Sequence, residues 1–198
     1  IAGIQSALGL AGTNVAIGAS AGTISQGDRA IAIGSNAGTN TQSASGIAVG
    51  YGAGEYTQGA GAMAYGYHAG QISQGMNAIA IGSNAGQENQ SSYAVAIGET
   101  TGKINQGILA VDIGAGTGNS NQGFTSLAIG NNAGYSSQGT SAIALGFNAG
   151  QTSQLDQSVA IGTNAGKVNQ KEYSVAVGNN AGNISQNTNS VAIGNGAG

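Results

Sequence analysis

"SVAIGTNAGKVNQ" (Ser158–Gln170) is followed sixteen residues on by "SVAVGNNAGNISQ" (Ser174–Gln186) and preceded, at the same interval, by "AIALGFNAGQTSQ" (Ala142–Gln154). The interval governs almost the whole chain. One Gly recurs every sixteen residues from Gly18 to Gly194, a second from Gly22 to Gly198, and a Gln from Gln26 to Gln186, with no insertion anywhere. The unit reads approximately [Ala/Ser]-[Val/Ile]-Ala-[Val/Ile]-Gly-x-Asn-Ala-Gly-x-x-[Ser/Thr/Asn]-Gln-Gly-x-x. Sixteen residues are too few for a helix pair and suit one coil of a β-solenoid.

Within a unit, Val15-Ala16-Ile17 alternates with period two and its large residues are β-branched, which is a strand pattern. Gly18 closes that strand, and Asn36-Ala37-Gly38 carries turn chemistry. A second short extended piece ends at the Gln, and Gln-Gly turns the chain back. The expected fold is all-β: a parallel β-solenoid or β-roll of about twelve sixteen-residue coils. Stacked at about 4.8 Å, they make a rod about 58 Å long. The period must be strict, because one inserted residue would turn a strand's side chains to the wrong face. In the expected domain layout, residues 1–12 are an irregular first coil or junction and residues 13–198 the repeat domain, a segment of a longer fibre. The last turn, at Gly198, is expected to leave an unpaired edge.

Charges respect the scheme. Asp28, Arg29, Asp156, Lys171 and Glu172 follow the Gln turn; Glu55, Lys103 and Lys167 follow the Ala-Gly turn; Asp112 alone falls inside the first strand. The Gln column is expected to form a polar ladder, each amide hydrogen-bonding to its copy in the next coil. Val15, Ile31, Ile47, Ile79 and their repeats are expected inside the coil, with Tyr65 in the same core. The middle residue of the first strand is Ala in eleven of twelve coils. Such persistent smallness implies close approach of another surface, so this Ala face is expected to pack against a neighbouring chain. A homo-oligomer follows, because the few large apolar residues of a coil do little against the entropy of ordering it.

The composition excludes several functions. There are 38 Gly, no Pro and no Cys in 198 residues, and only 4 Lys+Arg against 7 Asp+Glu. So few cations make a nucleic-acid partner improbable, zero Cys removes disulfides and thiolate metal sites, and no apolar run is long enough for direct membrane insertion as a helix. The chain opens on Ile1 without a signal peptide, and the missing Met suggests processing or a fragment.

The stretch "SVAIG" at Ser158–Gly162 and Ser190–Gly194, with "SLAIG" at Ser126–Gly130, resembles the head repeats of trimeric autotransporter adhesins, the YadA-like family. That resemblance implies a left-handed parallel β-roll, three chains about one axis, and attachment to host surfaces. It covers residues 13–198. The family's unit is typically shorter, and neither neck, coiled-coil stalk nor anchor is present in this stretch. Rolls of this kind also occur in phage and large-virus fibres, so a cell surface and a virion surface both remain open as extracellular locations.

Reactive chemistry is sparse. The lone His68 stands in a column that usually holds Asn, "GAGTG" at Gly114–Gly118 lacks the helix a phosphate loop needs, and Asn89 and Asn183 open glycosylation patterns that so Asn/Ser-rich a chain throws up by chance. No Ser/His/Asp set and no paired acids stand out. The reading is a structural and adhesive fibre segment without catalysis, cofactor or metal. Its partners are itself, as a homotrimer, and a host-surface glycan or protein. A functional amyloid-like matrix filament and an ice-binding solenoid are the alternatives. The candidate contact patch is Tyr51, Tyr56, Tyr67 and His68, in two successive coils. Asp112 is a candidate axial ring: on the face between chains, three carboxyls would converge.

Overall fold

The computed structural model describes residues 14–198. The expected junction at residues 1–12 lies outside them. The described chain is all-β and forms a parallel solenoid with one coil per sixteen residues. The first strand of every coil, from Val15–Ile17 to Val191–Ile193, joins a 12-stranded parallel sheet. The second strands, from Asn40–Gln42 to Thr152–Gln154, form an 8-stranded parallel sheet. Single bridges, Ile24 to Asn40, Thr152 to Val168 and Val168 to Ile184, extend that pairing at both ends. Register is uniform: Ala16 pairs with Ala32, Ala144 with Ala160, Gln58 with Gln74. Each residue thus lies beside its own copy, which is why the sequence tolerates no insertion.

The two faces of the first strand are the reverse of the sequence expectation. Ala32, Ala48, Ala64 and their copies as far as Ala176 are fully buried inside the coil. The flanking Val and Ile residues point outward, half-buried or exposed, and Tyr65, expected in the core, is 57% exposed. The physical reason is the Gln column. Gln42, Gln58, Gln90 and Gln154 are themselves fully buried, folded into the space between the sheets. An amide side chain in so thin a coil leaves room opposite for a methyl group and no more. A Gly completes the fit: a Cβ at Gly38 would lie 2.7 Å from Gln42 Oε1.

Most of the buried amide N–H groups find partners, as buried polar groups must, while the amide oxygens of Gln58, Gln138 and Gln170 are left without a donor. Gln74 Nε2 donates to Met63 O at 2.8 Å and to Gln90 Oε1 at 3.1 Å; Gln90 Nε2 repeats the pattern with Ile79 O at 2.7 Å and Gln106 Oε1 at 3.0 Å. Gln74 and Gln90 therefore tie the second strand to the first across the coil, and one coil to the next, as do Gln26, Gln58, Gln138 and Gln170.

The second strand is also less extended than its sequence suggests. Its middle residue is left-handed throughout: Thr41 at φ 51°, Asn89 at 55°, Ser153 at 54°. Two turn columns, that of Asn36 (φ 58°) and that of Ser45 (φ 59°), are left-handed as well. This explains the Ser/Thr/Asn that precedes every Gln and the Asn of the Asn-Ala-Gly turn. Asn tolerates this region better than most residues, and Ser, Thr and Asn make local hydrogen bonds that compensate part of the strain.

Candidate functional site

The four patch residues wrap one corner of the rod. Tyr51 and Tyr67 follow the Gly that ends the first strand in successive coils, so the uniform register places one beside the other. Their rings stack with centroids 5.5 Å apart and planes 12° apart. His68 stacks on Tyr67 at 4.0 Å and lies 5.4 Å from Tyr51. The backbone of His68 is left-handed, at φ 50°, the conformation its Asn counterparts adopt elsewhere. One coil earlier the same column holds Gly52, and a Cβ there would lie 2.4 Å from His68 Cδ2. The missing side chain is what admits the imidazole.

Tyr56 joins the cluster through Glu55, which the sequence reading had assigned only to a turn. Glu55 Oε2 accepts a hydrogen bond from Gln71 Nε2 at 2.8 Å, and Gln71 Oε1 accepts one from Gln87 Nε2 at 3.0 Å. The neighbouring Glu55 carboxylate, by hydrogen bonding and charge, holds the Tyr56 phenol above its ordinary pKa. Glu55 Oε2 also lies 3.4 Å from the point where a Gly52 Cβ would stand, beside the His68 ring. Rings and carboxylate therefore converge over Gly52. Tyr51 and Tyr67 are 49% and 53% exposed, and Tyr56 is exposed too. Stacking between successive coils could be foreseen from the sixteen-residue spacing. The bond from Gln71 to Glu55 follows from the same spacing; the approach of Glu55 to the His68 ring over Gly52 does not, since the period leaves open which columns meet across a turn.

Asp112 is not at an interface. Its side chain is fully buried inside its own coil, where every other coil has Ala. The axial ring is thereby corrected: with the faces reversed, this carboxyl points away from any chain docked on the outer face. It rewires the ladder instead. Gln106 Nε2 donates to Asp112 Oδ2 at 2.8 Å, and Gln122 turns aside to donate to Gly134 O at 2.7 Å. Asp112 Oδ1 has no partner. Burial raises the carboxyl pKa to about 8, against a smaller lowering by Gln106. Two buried Thr, Thr101 and Thr117, occupy neighbouring positions that are Ala in the other described coils, and each donates to a backbone carbonyl. This polar plug divides the Ala core into a block from Ala32 to Ala96 and a block from Ala128 to Ala192.

A third feature escaped the sequence reading. Met76, Tyr93, Ile108, Leu109 and Phe124 crowd the turn that leads into the first strand in four successive coils, all exposed. Tyr93 and Leu109 sit at φ 62° and 60°, a costly conformation for large side chains. Among the described residues, no group of three or more His, Cys, Asp or Glu is placed to hold a metal ion, and no helix is long and apolar enough to cross a membrane.

A model of the YadA head domain repeat matches the chain in two copies, with residues 73–85 covered. That stretch runs from the Gln turn through the first strand to the Asn-Ala turn, so it contains Gln74, Ala80 and Gly82, which set the shape of the coil. No curated protein and no solved structure matches. In its repeat and in its coil the chain is similar to YadA-like head repeats.

Proposed function

We propose that this chain is a segment of an extracellular, homotrimeric fibre that mediates attachment to surfaces and carries out no catalysis. The observation that carries the reading is the outward face of the first sheet. Ile17, Ile33, Tyr65, Ile113, Leu145 and Ile193 remain exposed there, beside the half-buried column of Val and Ile two residues earlier. Across twelve strands this is an apolar stripe, about 58 Å long at the usual strand spacing. Soluble monomers rarely leave a continuous apolar surface of that extent open. The coil interior, by contrast, is Ala, Gly and hydrogen-bonded Gln, and offers little hydrophobic stabilisation of its own.

Packing three such stripes about a common axis removes them from water and leaves the corners and second sheets outward. The threefold number and the adhesive role come from the likeness to YadA-type repeats. The stripe supplies the physical reason for association. A bacterial surface and a virion are both compatible with this architecture. The test is hydrodynamic and functional: sedimentation with light scattering should give an elongated particle of three 19.0-kDa chains, and beads coated with it should adhere to cell monolayers. A monodisperse monomer at micromolar concentration, or beads that do not adhere, would overturn the corresponding half.

A further inference from the structure

The corner built from Tyr51, Tyr67 and His68 has features that a packing contact does not need. Its two Tyr rings are exposed, beside a half-buried His68, in a chain with few aromatics. His68 occupies a left-handed turn position, and its ring is admitted by Gly52 directly beneath. Beside them stands a carboxylate held by Gln71 Nε2 at 2.8 Å, with exposed Tyr56 next to it in the chain. In the same column the coils on either side carry Ser35 and Ser83. The aromatic step is thus bounded to two coils, about 10 Å of rod, with a small side chain in the same column beyond each end. The cluster continues past the Ala-Gly turn to Tyr56 on the second sheet, the side turned away from the apolar stripe.

From this juxtaposition we propose that Tyr51, Tyr67, His68, Glu55, Tyr56 and Gln71 form a binding site for a neutral saccharide, one or two pyranose units long. A pyranose offers a flat face of C–H groups, weakly positive, that suits the negative face of an aromatic ring. Its hydroxyls donate to a carboxylate and exchange hydrogen bonds with an amide and a phenol. The residues named include no Lys or Arg and one carboxylate, so sialylated and sulfated sugars are disfavoured by repulsion. A protein partner would call for a larger apolar patch around its anchors than two coils provide. The proposal rests on the adhesive reading and names the chemistry it would recognise.

The test uses the assembled rod and saturation-transfer NMR with millimolar methyl glycosides of glucose, galactose and N-acetylglucosamine, and a methyl sialoside as the charged comparator. At least one neutral glycoside should receive saturation. Tyr67→Ala and Tyr51→Ala should each weaken its binding about tenfold, with particle mass unchanged, and Tyr173→Ala on a distant coil should leave it as it was. Three results would overturn the site: no neutral glycoside bound, the sialoside preferred, or Tyr67→Ala binding like the wild type. Loss of assembly in the Tyr variants would also overturn it, by making the corner a contact between chains. Adhesion of coated beads is read separately. Adhesive rods that bind none of these sugars remove the saccharide site alone, whereas sugar-binding rods that fail to adhere keep the site and remove the adhesive role.

Discussion

Replacing Asp112 by Ala should stabilise the protein, and the gain should depend on pH. In the unfolded chain this carboxyl ionises with its ordinary pKa of 3.8; in the fold, burial moves it to about 8. Between those values the unfolded state has released the proton and the folded state holds it, so stability falls as pH rises. The contribution is intact below 3.8, erodes through the window, and is lost above 8. At about 1.4 kcal/mol per pH unit, the erosion reaches about 4 kcal/mol at pH 7, of which about 3 kcal/mol accrues between pH 5 and pH 7. Structural relaxation makes this a ceiling. Asp112→Ala removes the titration and restores the methyl group used by every other coil. It also frees Gln122 to leave Gly134 O and donate to Val111 O, as Gln106 does to Val95 O. Guanidinium unfolding followed by circular dichroism at pH 5, 7 and 9 measures the effect. Amide exchange over residues 106–122 localises it, since a solenoid can open one coil before the rest. Wild type should weaken with pH relative to the variant, and exchange around Asp112 should accelerate. Parallel pH profiles, or a less stable variant at pH 7, would refute the buried, proton-holding carboxyl.

Other perturbations probe the remaining parts. Gln90→Ala strips donors from Ile79 O and Gln106 Oε1 and leaves a void, so denaturant unfolding should register a loss of about 2–4 kcal/mol. Leu109→Asn, at an exposed left-handed position, should gain about 1 kcal/mol in the same assay if the turn is solvated. Val159→Lys places a charge on the outward stripe; sedimentation should show smaller particles while the β-type far-ultraviolet spectrum persists. Lys167→Ala, at a turn, should shift stability by less than about 0.5 kcal/mol.

The sixteen-residue interval made the solenoid legible, because a backbone that stacks on itself must repeat its turn residues. The Gly and Gln columns likewise announced the turns and the ladder. The orientation of the first strand was not legible. Alternation separates two faces without saying which is inward, and the usual assumption that larger apolar residues go inside fails for a coil whose interior is occupied by Gln42 and its copies. The same error carried Asp112 outward and Tyr65 inward. The left-handed middle of the second strand was hidden because its residues, Thr41 or Ser73, are unremarkable singly. Of the corner site, Tyr51 and Tyr67 followed from the period. The pairing of Gln71 with Glu55 followed from it too, but no spacing encodes that Glu55 comes beside the His68 ring over Gly52.

The central claim is that Val and Ile face outward and are covered by other copies of the chain. Because the protein has no Cys, a single substitution reports on it cleanly. Ile97→Cys lies in the outward stripe, and Thr57→Cys lies exposed on the second sheet. Under mild oxidation at low protein concentration, the account predicts rapid covalent dimers from Ile97→Cys, with one thiol per trimer left free, and none from Thr57→Cys. Cross-linking from Thr57→Cys alone, or from neither variant, would contradict it.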